Sequence, residues 1–191
     1  MEPKTLATIA IFSALSIALV LSPFKFPAPY APFLKYQIWE IPIVAAFLLY
    51  GPLVGVVISI VNTGILLVVY PGDLPVGPLY NLAAVLSMLL GVYIIHRFAA
   101  ERFSKRQETI LIALSTVLGS VARVTITSLM NWTFLPYPYP IGFSMPTEAL
   151  VTLLPAIGFF NATVVLYTIP LSYFAARVVS FRMSIGRWSR P

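Results

Sequence analysis

The sequence predicts an all-α integral membrane protein: a six-transmembrane-helix bundle, a single membrane domain over residues 1–191, with both termini cytoplasmic. Three observations carry this. The chain is 59% hydrophobic and only 9% charged, whereas a soluble domain carries about 25% charged residues. The apolar residues fall into six runs, separated by turns rich in proline, glycine or charge. Finally, with the N-terminus inside, nine basic residues fall on the inner side (Lys4, Arg97, Arg102, Lys105, Arg106, Arg177, Arg182, Arg187 and Arg190) and two on the outer (Lys25 and Lys35), as the positive-inside rule requires of a multi-pass cell-membrane protein.

The same numbers exclude several classes of function. A net charge of +6 would suit nucleic acid, but the basic residues sit at the ends of apolar runs and not along a polar face, so no nucleic-acid partner is expected. Cysteine is absent and His96 is the sole histidine, which removes disulfides and ordinary metal-ligand clusters. No GxxxxGK[ST], HExxH or GxSxG occurs, so neither an ATP-binding phosphate loop nor a hydrolase is indicated. The chain reads as a binder, not an enzyme, with no cofactor of its own.

The first run, Leu6 to Leu21, follows Lys4. It resembles a signal peptide in outline but lacks a nearby small-x-small cleavage site, so it is read as a retained span. Ala10, Ala14 and Ala18 recur every four residues and form one smooth ridge. Such a ridge admits close approach of another helix, either within this bundle or from a separate subunit. Ser22 to Tyr36 holds four prolines and is long for a connection, a length associated with lids. The second run, Gln37 to Tyr50, is a short span that places Glu40 about one turn inside the helix, either as an intramembrane functional carboxylate or in headgroup water. Gly51-Pro52 makes a tight return into a third run, Leu53 to Tyr70, where Gly51, Gly55 and Ser59 form a second small-residue ridge for an internal contact. Asp73 lies in the turn that follows. The fourth run, about Val76 to Arg97, carries Asn81 near its start, and Arg97 to Glu108 is a charged loop.

The fifth run, about Thr109 to Asn131, has the clearest pattern. Thr116, Ser120, Arg123, Thr127 and Asn131 are spaced four, three, four and four, so they share one narrow stripe. Lipid cannot satisfy such a stripe, which must face protein or water. Arg123 lies about 12 Å below Asn131 at 1.5 Å per residue. Its partner is expected to be Glu40, the one acid placed inside a span; the alternative is snorkelling to inner headgroups or bonding to helix carbonyls. After Asn131 the prolines of Trp132-Thr133-Phe134-Leu135-Pro136-Tyr137-Pro138-Tyr139-Pro140 end the helix near Trp132 and make a stiff, ring-lined turn. An amide under an aromatic lid suits a flat, polar-edged small molecule; an interfacial aromatic belt is the other reading. The sixth run, about Ala149 to Val179, contains Pro155, Asn161 and Pro170 and is expected to bend.

Taken in order, Glu40-Ile41-Pro42, Gly51-Pro52-Leu53-Val54-Gly55, Val76-Gly77-Pro78-Leu79-Tyr80-Asn81, Asn131 with Pro136 and Tyr139, and Asn161 make the chain resemble the substrate-binding S components of the energy-coupling-factor (ECF) vitamin transporters, most closely the riboflavin type. The resemblance covers most of the chain from Glu40 onward. It implies a vitamin pocket near the outer face, capped by the loop after the first helix, with Glu40, Asn81, Asn131, Trp132, Tyr139 and Asn161 as substrate-binding residues. It also implies a transmembrane T component, docked on the ridge of Ala10, Ala14 and Ala18, and two cytoplasmic ATPases that energise an ABC-type importer. The vitamin is then a transported ligand, most closely riboflavin. One position departs: the riboflavin type carries lysine three residues after the last-span asparagine, and Val164 stands here. The alternatives are an S component for another vitamin, or a stand-alone carrier or structural membrane subunit.

Overall fold

Helices form where the apolar runs predict them, in a computed structural model that describes residues 2–69, 74–99 and 108–183. They are α1 (Pro3–Leu21), α2 (Glu40–Tyr50), α3 (Pro52–Val69), α4 (Gly77–Ala99), α5 (Glu108–Phe134) and α6 (Thr147–Met183). The expectations for Asp73, for the charged segment with Glu101, Arg102, Lys105 and Arg106, and for Arg187 and Arg190 lie outside the described residues. Helices α2 to α6 form a closed ring of neighbours, and α1 packs outside α2 and α3. Phe47, Ile43, Val85, Met88, Val92, Val165 and Ile169 fill the centre.

Five of the helices are long and apolar enough to cross a membrane. The exception is the short second span, which starts later than its apolar run. α2 has 11 residues, about 16 Å at 1.5 Å per residue, against a hydrocarbon core of about 30 Å. The helix begins at Glu40, not Gln37, because the preceding backbone is captured by neighbouring helices. The Tyr167 hydroxyl donates to the Gln37 carbonyl at 2.6 Å, and the Ser16 hydroxyl donates to the Trp39 carbonyl at 2.7 Å. Non-helical backbone is tolerated at membrane depth only where protein satisfies it in this way.

One further local feature differs from expectation. The loop after α1 contains a β-hairpin, β1 (Phe26–Ala28) and β2 (Ala31–Tyr36), with Phe26 opposite Tyr36 and Pro27 opposite Lys35. Both strands are edges, which is where proline is accepted. The sixth run forms a single helix, α6, with Pro155 and Pro170 inside it.

Close helix contacts are set by glycine. Gly51, at φ 98°, adopts a conformation that favours glycine and reverses the chain between α2 and α3. A Cβ on Gly55 would lie 2.7 Å from the Phe47 Cβ, so the ridge of Gly51, Gly55 and Ser59 is the expected internal contact. The other ridge behaves differently. Ala10, Ala14 and Ala18 are exposed, while Ile9, Ser13, Ser16 and Val20 form the buried face of α1. The alanine ridge is therefore not used within this chain.

Candidate functional site

The polar stripe of α5 turns inward because no other surface can satisfy it. In its inner half, Thr116 donates to the Ile112 carbonyl at 2.8 Å, whereas the Ser120 hydroxyl is buried without a hydrogen-bond partner. Its outer half opens onto a cavity of about 570 Å³, within the roughly 300–1,000 Å³ typical of small-molecule sites. Arg123, Thr127, Met130 and Asn131 of α5 form one wall. Tyr80, Asn81 and Ala84 of α4 form another, and Leu153, Ile157, Phe160 and Asn161 of α6 a third. Phe33 and Leu34 of the hairpin, Leu74 just before α4 and Gly77 at its start, and Leu135, Phe143 and Met145 of the α5–α6 loop complete the lining.

Arg123 forms the expected pair with Glu40. Its Nη1 donates to Glu40 Oε2, and its Nη2 donates to Oε1 at 2.9 Å. Nε donates to Asn161 Oδ1 at 2.9 Å, and Asn161 Nδ2 donates to the Ile157 carbonyl at 2.9 Å. Glu40 and Arg123 are each only 4% exposed, which overturns the headgroup-water and snorkelling readings. Glu40 is the first residue of α2, and the long Arg123 side chain reaches it across the bundle. Asn131 Nδ2 donates to the Thr127 carbonyl at 2.7 Å, and Thr127 donates to the Arg123 carbonyl at 2.8 Å. Thr127 and Asn131 are thus tied back to their own helix.

The structure brings Asn81, Asn131 and Asn161 together on the cavity wall. Glu40 stands behind the lining and reaches the cavity only through Arg123. Trp132 and Tyr139 are 45% and 67% exposed and do not line it. α5 runs on to Phe134, so Trp132 is rotated about 100° from Asn131, and Tyr139 sits in the turn beyond. Those two rings fit the aromatic belt. Val164 is buried and is also off the lining. Sequence reasoning missed Phe33, Met130 and Phe160, for apolar residues beside a cavity look like any core residue.

The hairpin closes the site as the expected lid. Tyr36 exchanges a hydrogen bond with the Thr163 hydroxyl at 2.8 Å and packs on Phe160 with ring centroids 4.8 Å apart. Tyr30 bonds to Tyr36 at 2.5 Å, and desolvation, then the Tyr36 hydrogen bond, raises its phenol above the ordinary value. The α5–α6 loop is tied to α4 by Tyr80, whose hydroxyl donates to the Ile141 carbonyl at 3.0 Å. A flat ligand would meet rings on its faces and three two-way amides at its edges, the pattern of a binding site rather than a catalytic one.

Comparisons with known proteins agree. Residues 4–179 match the model of the family described as "ECF transporter, substrate-specific component". The riboflavin transporter RibU of Staphylococcus aureus is 31% identical over 75% of this chain and 71% of its own. The riboflavin transporter FmnP of Bacillus subtilis is 30% identical over 71% of this chain and 68% of its own. In fold, the chain superposes on the S component of a bacterial ECF transporter with a TM-score of 0.75, covering 96% of this chain and 99% of that one at 23% identity. This multi-pass cell-membrane protein belongs to the substrate-specific components of the ECF transporters.

Proposed function

We propose that the chain is the riboflavin-binding subunit of an ECF importer, delivering the vitamin to a T component and two ATPases that power transport. The observation that carries the ligand assignment is the hairpin-capped cavity, with rings on its walls and Asn81, Asn131 and Asn161 at its edges, in a chain about 30% identical to two riboflavin transporters. Six crossings with both termini in the cytoplasm fit this reading, the non-helical residues 37–39 completing the short passage of α2. Protein purified from rich medium should be yellow and carry a flavin absorbance spectrum. A colourless protein that leaves added riboflavin fluorescence unquenched would sink the assignment. The second reading, an S component for another vitamin, is favoured by Val164 at the lysine position of the riboflavin type, and the same spectrum decides between them.

Asn131→Ala should weaken riboflavin binding by about 1–3 kcal/mol, the cost of leaving a buried polar partner unpaired. Asn81→Ala and Asn161→Ala should act in the same direction. Unchanged affinity by fluorescence titration in all three would remove the amides from the site.

The exposed ridge of Ala10, Ala14 and Ala18 is the proposed surface for the T component, since small residues permit the closest helix approach. Ala14→Trp should abolish co-purification with the T component and ATPases yet leave riboflavin binding by the isolated chain intact. Normal assembly and transport by this variant would contradict the docking role.

A further inference from the structure

Among the described residues, Arg123 is the one charged side chain that lines the cavity. It is not offered there as a bare cation. Glu40, off the lining and 4% exposed, accepts from both terminal nitrogens of the guanidinium, and Asn161 accepts from its Nε. The group is fixed at three points, and its charge is cancelled within hydrogen-bond distance. A ligand on this floor meets a donor-rich plane without net charge.

The geometry points to Glu40 as the residue that determines which ligand charge the site accepts. By cancelling Arg123, it restricts the cavity to an uncharged ligand and disfavours anionic forms of the same molecule; this rests on the flavin reading above. An anion entering an apolar cavity gives up hydration that only an unmatched cation could replace. Glu40 removes that cation without touching the ligand. It is a positioning and charge-balancing residue, not a ligand contact.

The test compares riboflavin with two anionic flavins: riboflavin 5′-phosphate, charged at the side-chain end, and a ring-carboxylated flavin, charged at the other. Either orientation of the bound molecule is then probed. The wild-type chain should bind whichever anion is carried to the floor about tenfold or more weaker than riboflavin. Glu40→Gln keeps the shape and an acceptor for Arg123 but leaves the cation unmatched, so that ratio should fall by about tenfold or more. Asn161→Asp adds a carboxylate on the other side of the same guanidinium, and should widen the ratio whether or not Glu40→Gln folds. Equal wild-type affinity for all three flavins, or ratios unmoved by both substitutions, would overturn the assignment with riboflavin binding intact. A wild-type chain that binds no riboflavin would instead overturn the flavin reading, and this assignment with it.

Discussion

Arg123→Met is expected to lower the stability of the chain by about 3–5 kcal/mol, the usual cost of removing one partner from a buried ion pair. The substitution leaves the Glu40 carboxylate, 4% exposed, with neither of the guanidinium nitrogens that hold it. The double variant Glu40→Met/Arg123→Met should regain most of the loss, because a buried pair replaced by apolar groups of similar size is often nearly neutral. Thermal unfolding of the detergent-solubilised protein measures both. Stability unchanged in the single variant would mean that water already reaches the pair, and failure of the double variant to recover would locate the cost in packing rather than charge. Ligand binding should be weakened in both, as the cavity floor loses its donors.

Gly91→Ala should be the most damaging of the helix glycine substitutions. A Cβ there would lie 2.6 Å from the backbone nitrogen and Cα of Gly119, so α4 and α5 would have to separate. Overpacking typically costs about 1–3 kcal/mol, well beyond the gain of about 0.5–1 kcal/mol from replacing a helical glycine by alanine. Both helices also form cavity walls, so ligand affinity should fall together with stability. Gly119→Ala should cost less, because its Cβ meets first the movable Cδ1 of Ile169 at 2.8 Å. Gly64→Ala, with nothing within 4 Å, should be slightly stabilising. Thermal unfolding of the three variants checks this order, and a Gly91→Ala protein as stable as wild type would show that α4 and α5 can part freely.

Most of the bundle was legible because the bilayer imposes simple rules. Long apolar runs become helices, and a polar stripe must turn inward, so the spacing from Thr116 to Asn131 located the inner face of α5 and its arginine. Glu40 was legible as the partner for Arg123 because few acids were available. The hairpin was not legible, since Pro27 and Pro32 obscure strand alternation and only pairing between two edge strands makes them acceptable. The outward turn of Trp132 and Tyr139 depended on α5 running two residues past the predicted stop, a shift that rotates every following side chain. The shortness of the second span was legible in the run from Gln37 to Tyr50, but its later start at Glu40 was not, because that start is set by a pair of hydroxyls distant in sequence.

That break in the backbone has a consequence for how the protein is made. Gln37 emerges early in synthesis, yet the hydroxyl that satisfies its carbonyl belongs to Tyr167, 130 residues later. Arg123 emerges before Asn161, which completes its set of acceptors. Until α6 enters the bilayer, α2 is a short apolar segment whose entry point lacks its hydrogen-bond donor, and the future cavity has neither its third wall nor a finished floor. Packing of the last helix therefore satisfies the backbone before α2 and closes the cavity in one event. A nascent chain that stops short of α6 lacks the residues Leu153, Ile157, Phe160 and Asn161 of the cavity lining, so a ligand of this site would stabilise the completed product rather than the growing polypeptide.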